Sequence, residues 1–205
     1  KWNEYNLGWP VTSLFIEQTI GLYTARDSLT IQFKQQEVSK VLNSILNETD
    51  EDIITKYNLP KDGKNWSVSS ARQDLKEEGL DDKKFTTILY RPFDMRNTYY
   101  TGKSGGFMAR PRGLAMKAML RNNIGLVTSR QFSATGSSIF NTVNVTDGLV
   151  DLNFYRRGGQ NLFPIYFYDS ENNRHENFSE DFREFIDEKY DHVFEPEEIF
   201  NYIYA

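Results

Sequence analysis

The hydrophobic period of this chain changes twice, and that change constrains its fold more than any single motif. Between residues 34 and 47, Val38, Val41, Leu42, Ile45 and Leu46 recur at the i, i+3, i+4, i+7, i+8 spacing of one helical stripe. From Phe85 onward the apolar residues are β-branched and aromatic and come in short runs, a strand texture. After residue 169 the helical spacing returns, with Phe182, Phe185 and Ile186 on one face and Ile199, Phe200 and Ile203 on another. Helices and strands are therefore grouped and not alternated. This predicts an α+β fold: a mixed or antiparallel sheet with flanking helices and a helical C-terminal segment.

In detail, the pattern predicts strands at Leu14–Thr19 and Leu29–Phe33, joined through a turn at Gly21–Asp27. Helices follow over about Lys34–Asn47 and Asp50–Asn58, with a loop at Pro60–Trp66. A third helix starts at Ser69 or Ser70 as cap and is stopped by Gly79. Phe85–Tyr90 and Met95–Tyr100 read as paired strands, and Gly102, Gly105 and Gly106 as a flexible loop. Pro111 is expected to open a helix running to about Arg121, in the first helical position. Strands are expected at Ile124–Thr128, Ile139–Val145, Leu149–Phe154 and Leu162–Tyr168, the last with Pro164 marking an edge or bulge. Ser179 and Pro196 begin the two final helices.

Charge follows the same boundaries. Residues 1–85 carry 11 Lys and Arg against 14 Asp and Glu, residues 86–168 carry 10 against 3, and residues 169–205 carry 3 against 12. The net charge of −5 conceals this asymmetry. Between positions 91 and 130 stand Arg91, Arg96, Lys103, Arg110, Arg112, Lys117, Arg121 and Arg130, opposed by Asp94 alone. Arg dominates there, and Arg is the residue suited to bidentate contact with phosphates and guanine edges. A basic, aromatic block on an acidic chain predicts either an anionic partner such as nucleic acid or internal pairing with the acidic segments. In Arg110-Pro111-Arg112, two cations at the start of the expected helix suit a bound phosphate.

Several activities lack their residues. Cysteine is absent, which removes disulfides, thiol catalysis and Cys-based metal sites. No glycine-rich phosphate loop, G-x-S-x-G elbow or H-E-x-x-H motif is present. His175 and His192, the only histidines, lie among carboxylates, where a metal site competes with ordinary surface chemistry. No apolar run approaches the roughly 18 residues of a membrane-spanning helix. The chain opens at Lys1 and ends in the apolar stretch Ile199–Ala205, so it is read as a segment of a longer protein.

An ordered series of motifs sharpens this reading. Tyr90-Arg91-Pro92-Phe93-Asp94-Met95-Arg96 is followed by Tyr99-Tyr100, Arg110-Pro111-Arg112, Gly125-Leu126-Val127 and Ser129-Arg130-Gln131. Phe163-Pro164-Ile165-Tyr166-Phe167-Tyr168 and Pro196–Ala205 complete it. Together they resemble the C-terminal specificity, or target-recognition, domain of Type ISP restriction-modification enzymes, most strongly over residues 85–205. Upstream, Gly21–Asp27 also fits, although the family usually carries Gly where this chain has Ala25.

The resemblance implies one specificity domain across 1–205, with a helix-rich part (1–80), a basic sheet-rich part (85–168) and an acidic helical part (169–205). It implies sequence-specific recognition of double-stranded DNA in the cytoplasm, on behalf of an adenine methyltransferase and a nuclease and translocase motor elsewhere in the parent chain. S-adenosylmethionine, ATP and Mg would be bound in the parent chain, and no cofactor in this segment. The candidate DNA-binding residues are Arg91, Arg96, Tyr99, Lys103, Arg110, Arg112, Lys117, Arg130 and Gln131, with no catalytic residue and no metal ligand expected. Two other readings remain: a metal-dependent nuclease built on His192 and the acidic tail, and a coupling domain that never touches DNA.

Overall fold

A computed structural model describes residues 8–63, 65–129, 142–155 and 159–205. Helix α1 (Val11–Leu14) is a single turn after Pro10, and α2 (Asp27–Thr30) is another. Helices α3 (Gln35–Asn47), α4 (Asp50–Lys56) and α5 (Val68–Glu78) follow. Strands β1 (Phe85–Arg91) and β2 (Asp94–Tyr99) form a hairpin, and α6 (Gly113–Met119) leads into β3 (Gly125–Ser129). Then come β4 (Val143–Thr146), β5 (Leu149–Val150), β6 (Gln160–Pro164), β7 (Tyr166–Tyr168) and β8 (Arg174–Glu176). Helices α7 (Glu180–Tyr190) and α8 (Pro196–Tyr204) close the chain. The expected α+β class is what the chain adopts, with three small sheets: β2-β1-β5, β4-β3-β6 and β7-β8. Among the described residues, the pairings between these strands are antiparallel except β1 with β5.

The helices form for local reasons. Glu37 accepts the Lys34 N–H at 3.0 Å to start α3, whose Val38, Val41, Leu42 and Ile45 are all buried. Burial of each such side chain is worth about 1.5–3 kcal/mol, which fixes α3 to the sheet. Thr49 Oγ1 accepts from Asp52 N–H to cap α4. The cap of α5 is Ser67, two or three residues before the expected Ser69 or Ser70, with Oγ accepting from Ser70 N–H. Gly79, at φ +66°, ends α5 as expected.

Two cores result. One joins α3, α4 and α5 to β1, β2 and β5 through Leu42, Ile45, Leu75, Ile88, Tyr99 and Leu149. The second joins Leu126 of β3 and Phe163 of β6 to Phe182 and Ile186 of α7 and Ile199 and Phe200 of α8. The acidic C-terminal helices thus hold the second sheet through their apolar stripes. Their carboxylates Glu180, Asp181, Glu184 and Glu188 line a groove of their own.

Four expectations need correction. Neither early run forms a strand: after Leu14, the last residue of α1, residues 15–19 pair only as isolated bridges, Phe15 to Phe178 and Thr19 to Leu162, and the run 29–33 starts inside α2 and pairs only through Gln32 to Asn97. The run Leu162–Tyr168 breaks at Ile165: β6 ends at Pro164 on a sheet edge, and β7 joins β8 instead. Leu149–Phe154 shortens to the two residues of β5, and of Ile139–Val145 residues 139–141 lie outside the described set. The glycine loop is stapled and not free. Asp74 of α5, fully buried, accepts from Phe107 N–H at 2.7 Å and Thr101 Oγ1 at 2.8 Å. A Cβ on Gly106 would stand 2.1 Å from Asp74 Oδ2, so only glycine allows this approach.

Candidate nucleic-acid interface

The arginines of the basic block divide into two groups according to what they touch. At the hairpin, a register shift between Leu89 and Arg91 lets Arg91 turn toward Asp151, its Nη1 donating at 2.6 Å. Asp151 is almost completely buried, and that burial, with Asp27 nearby, pushes its carboxyl up to about 6. Asp27 receives the Tyr90 hydroxyl at 3.1 Å and the Thr24 hydroxyl, and holds a longer contact with Arg91 at 3.9 Å. Arg96 pairs with Asp94 at 2.8 Å and stacks on Phe33 and Tyr90 at 4.2 and 4.4 Å. Lys103 is engaged by Glu77 of α5. Arg91, Arg96 and Lys103 thus each have an acidic partner within the chain.

Tyr99 is also corrected. Both Tyr99 and Tyr100 are buried, so neither face of Tyr99 is open to a base. Tyr99 Oη donates to Gly79 O and accepts from Asp81 N–H, each at 3.0 Å, joining β2 to the end of α5. Strand alternation predicts one of the pair at the surface; the chain leaves β2 at Tyr99, and Tyr100 turns inward. Its hydroxyl donates to Pro111 O at 3.0 Å, and burial raises its pKa.

The second group follows from that anchor. Arg110 exchanges backbone hydrogen bonds with Tyr23 at 2.8 and 2.9 Å, and Pro111 is held by Tyr100. Arg112 is the N-cap of α6 in the left-handed conformation, φ +55° and ψ +50°. Pro111 thus lies outside the helix, two residues before its first position. Arg110 is exposed and makes no side-chain hydrogen bond or ion pair with the described residues. The Nε of Arg112 is buried and has no partner. Lys117 lies exposed along Gly102 without an ion pair, beside Lys83 in a shallow depression over Tyr100. Arg121, at the end of α6, stacks on Tyr168 at 4.2 Å. Among the described residues, no acid of the C-terminal segment pairs with these cations. Arg130 and Gln131 lie outside the described residues.

Arg112 opens onto a cleft of about 350 Å³ between α6, residues 17–19 and β7. Buried Asn123 ties two of the cleft's lining residues together, donating to Ala118 O at 3.3 Å and Tyr166 O at 2.9 Å and accepting from Tyr166 N–H at 3.2 Å. Tyr166 in turn donates to Glu197 at 2.8 Å, and burial pushes its hydroxyl up to about 12. Neither Asn123 nor this cleft carries a signal in the sequence, because its walls come from segments far apart along the chain. His175 pairs with Asp169 at 2.9 Å and stacks on Phe167, and His192 packs edge-on against Phe194. Among the described residues no three His, Asp or Glu side chains converge as a metal cluster would require.

The model of the Type ISP C-terminal specificity domain matches residues 13–205. No curated protein matches this chain. Among solved structures, the cryo-EM structure of the DrdV–DNA complex is similar at 21% identity and a TM-score of 0.66, over 93% of this chain and 19% of that one. The ATP-dependent Type ISP restriction-modification enzyme LlaBIII bound to DNA is similar at 19% identity and 0.59, over 84% of this chain and 12% of that one. A nuclease-deletion mutant of the Type ISP enzyme LlaGI with a DNA substrate mimic gives 17% and 0.56, over 88% and 19%. This chain spans less than a fifth of the length of each.

Proposed function

This chain belongs to the Type ISP C-terminal specificity domain family, and from that membership we propose that it recognises double-stranded DNA for a longer restriction-modification enzyme. The observation that carries the reading is the pair Arg110 and Arg112, held rigidly through Tyr23 and Tyr100 yet without an acidic partner among the described residues. Arginines presented this way are suited to phosphates, which position a protein on the duplex without reading sequence. Arg130 and Gln131, of the chemistry that reads guanine and adenine, remain the candidates for base contact. The solved relatives are DNA complexes, which supports the same role here.

In this reading the methyltransferase and motor belong to other parts of the parent chain and bring S-adenosylmethionine, ATP and magnesium with them, in the cytoplasm. The hairpin tip differs from the α6 segment. Phe93 is 97% exposed at φ +64°, with Met95 and Phe33 also open, on ground where every arginine is already neutralised. We assign that tip to contact with a neighbouring domain of the parent chain and not to DNA. The test of DNA recognition is a salt-dependent titration of this chain with cognate and random duplexes. Binding that weakens steeply with salt supports it, and absence of binding at low salt contradicts it.

A further inference from the structure

The cleft beside Arg112 has features of a built site that no structural role explains. Arg112 adopts a left-handed backbone, which costs a residue other than glycine about 1–2 kcal/mol. Glycine would remove that cost, so the side chain is what the position retains. Yet its Nε is buried without a partner, and no ion pair joins it to Glu17 across the same cleft. The cleft therefore presents a cation and a carboxylate acceptor, both unused, with Leu114, Phe167 and Tyr168 as apolar and aromatic wall. Its volume of about 350 Å³ falls within the range of small-molecule sites, about 300–1,000 Å³. Arg121 stacks on Tyr168, one of the wall residues.

We propose that this cleft receives one nucleotide unit, its phosphate on Arg112, its base against the aromatic wall, and an exocyclic amino group donating to Glu17. A carboxylate accepts from the amino group of cytosine or adenine, and thymine has none to offer. The unit is a nucleotide unpaired from DNA, an assignment that rests on the DNA-recognition reading; a free mononucleotide has the same chemistry, and the test separates the two.

The experiment measures binding of this chain to a fluorescent duplex carrying one unpaired cytosine, to one carrying an unpaired thymine, and to the fully paired duplex. Free deoxycytidine monophosphate and inorganic phosphate serve as competitors. The unpaired cytosine should tighten binding about tenfold over the paired duplex. R112G should abolish that gain while melting no lower than wild type, since glycine relieves the backbone. E17Q should narrow the preference for cytosine over thymine. Equal binding of bulged and paired duplexes overturns the proposal, as does a gain that survives R112G. Competition by phosphate equal to that by the mononucleotide overturns it too, by reducing the site to an anion site. If no duplex binds but the mononucleotide does, and R112G removes this, the nucleotide site stands and the DNA reading falls. If neither binds, both fall.

Discussion

The hairpin arginines and the α6 arginines come from the same basic stretch of sequence but differ in what they pair with. Arg91 and Arg96 are stacked on Tyr90 and paired with Asp151 and Asp94, so the hairpin neutralises its positive charge internally. Arg110 and Arg112 stand on a segment fixed by Tyr23, Tyr100 and the Asp74 staple, with no acid paired to them among the described residues. A count of arginines therefore overstates the positive charge this domain leaves free for an anionic partner. What distinguishes a binding cation from a structural one is the partner, and Asp151 lies 60 residues from Arg91 in sequence.

The largest effect should come from breaking the hairpin network. Arg91→Ala leaves Asp151 buried and uncompensated, and removing one partner of a buried pair costs about 3–5 kcal/mol, an upper range here because Arg91 is one-third exposed. Urea denaturation should show this destabilisation, while the salt dependence of DNA binding by the folded fraction stays unchanged. A parallel drop in salt slope would place Arg91 on DNA after all.

Asp151 sets the next effect. Its carboxyl is held near 6, above the ordinary value of about 3.9, so the neutral acid is favoured by the fold. Its contribution to stability is full below pH ~4 and is lost as pH rises through about 6. Between pH 5 and 7.5 wild type should lose about 1–2 kcal/mol from this group alone, and Asp151→Asn should flatten that part of the profile. Glu48, Glu77, Glu78 and Asp169 are shifted the other way by their hydrogen-bonded partners and act below this window. Identical profiles for wild type and Asp151→Asn would show that Arg91 fully compensates the buried charge.

The smallest effect is a gain. Ala25 sits at φ +64°, where glycine would carry no steric cost. Ala25→Gly should raise stability by about 0.5–1 kcal/mol with no change in DNA binding, read as a higher melting temperature. A lower melting temperature would mean that flexibility gained in the unfolded chain outweighs the relief.

These cases mark how far sequence reaches. Helices α3, α4, α7 and α8 are legible because apolar period and caps are local properties. Ala25 is visible as a departure from the family pattern, and the left-handed backbone supplies its reason. Segments 14–19 and 29–33 carry strand-like residues but meet their partners at single positions, which composition does not encode. Helix α6 starts later than Pro111 suggests: proline suits a first helical position, but Arg112 turns left-handed after it. The pairing of Arg96 with Asp94, two residues away, is legible, whereas the pairing of Arg91 with Asp151 and the cleft are not, since both depend on contacts between distant segments.

One comparison tests the central claim most directly. The salt dependence of random-duplex binding is measured for wild type, for Arg110→Ala/Arg112→Gly, and for Arg91→Met/Arg96→Met under conditions where all three are folded. If the α6 pair neutralises phosphates, the slope of log affinity against log salt falls by about 0.9 for each phosphate set free, or about 1.8 for the first variant. The hairpin variant should retain the wild-type slope. The opposite outcome, an unchanged slope for the α6 variant and a reduced one for the hairpin variant, would contradict the account.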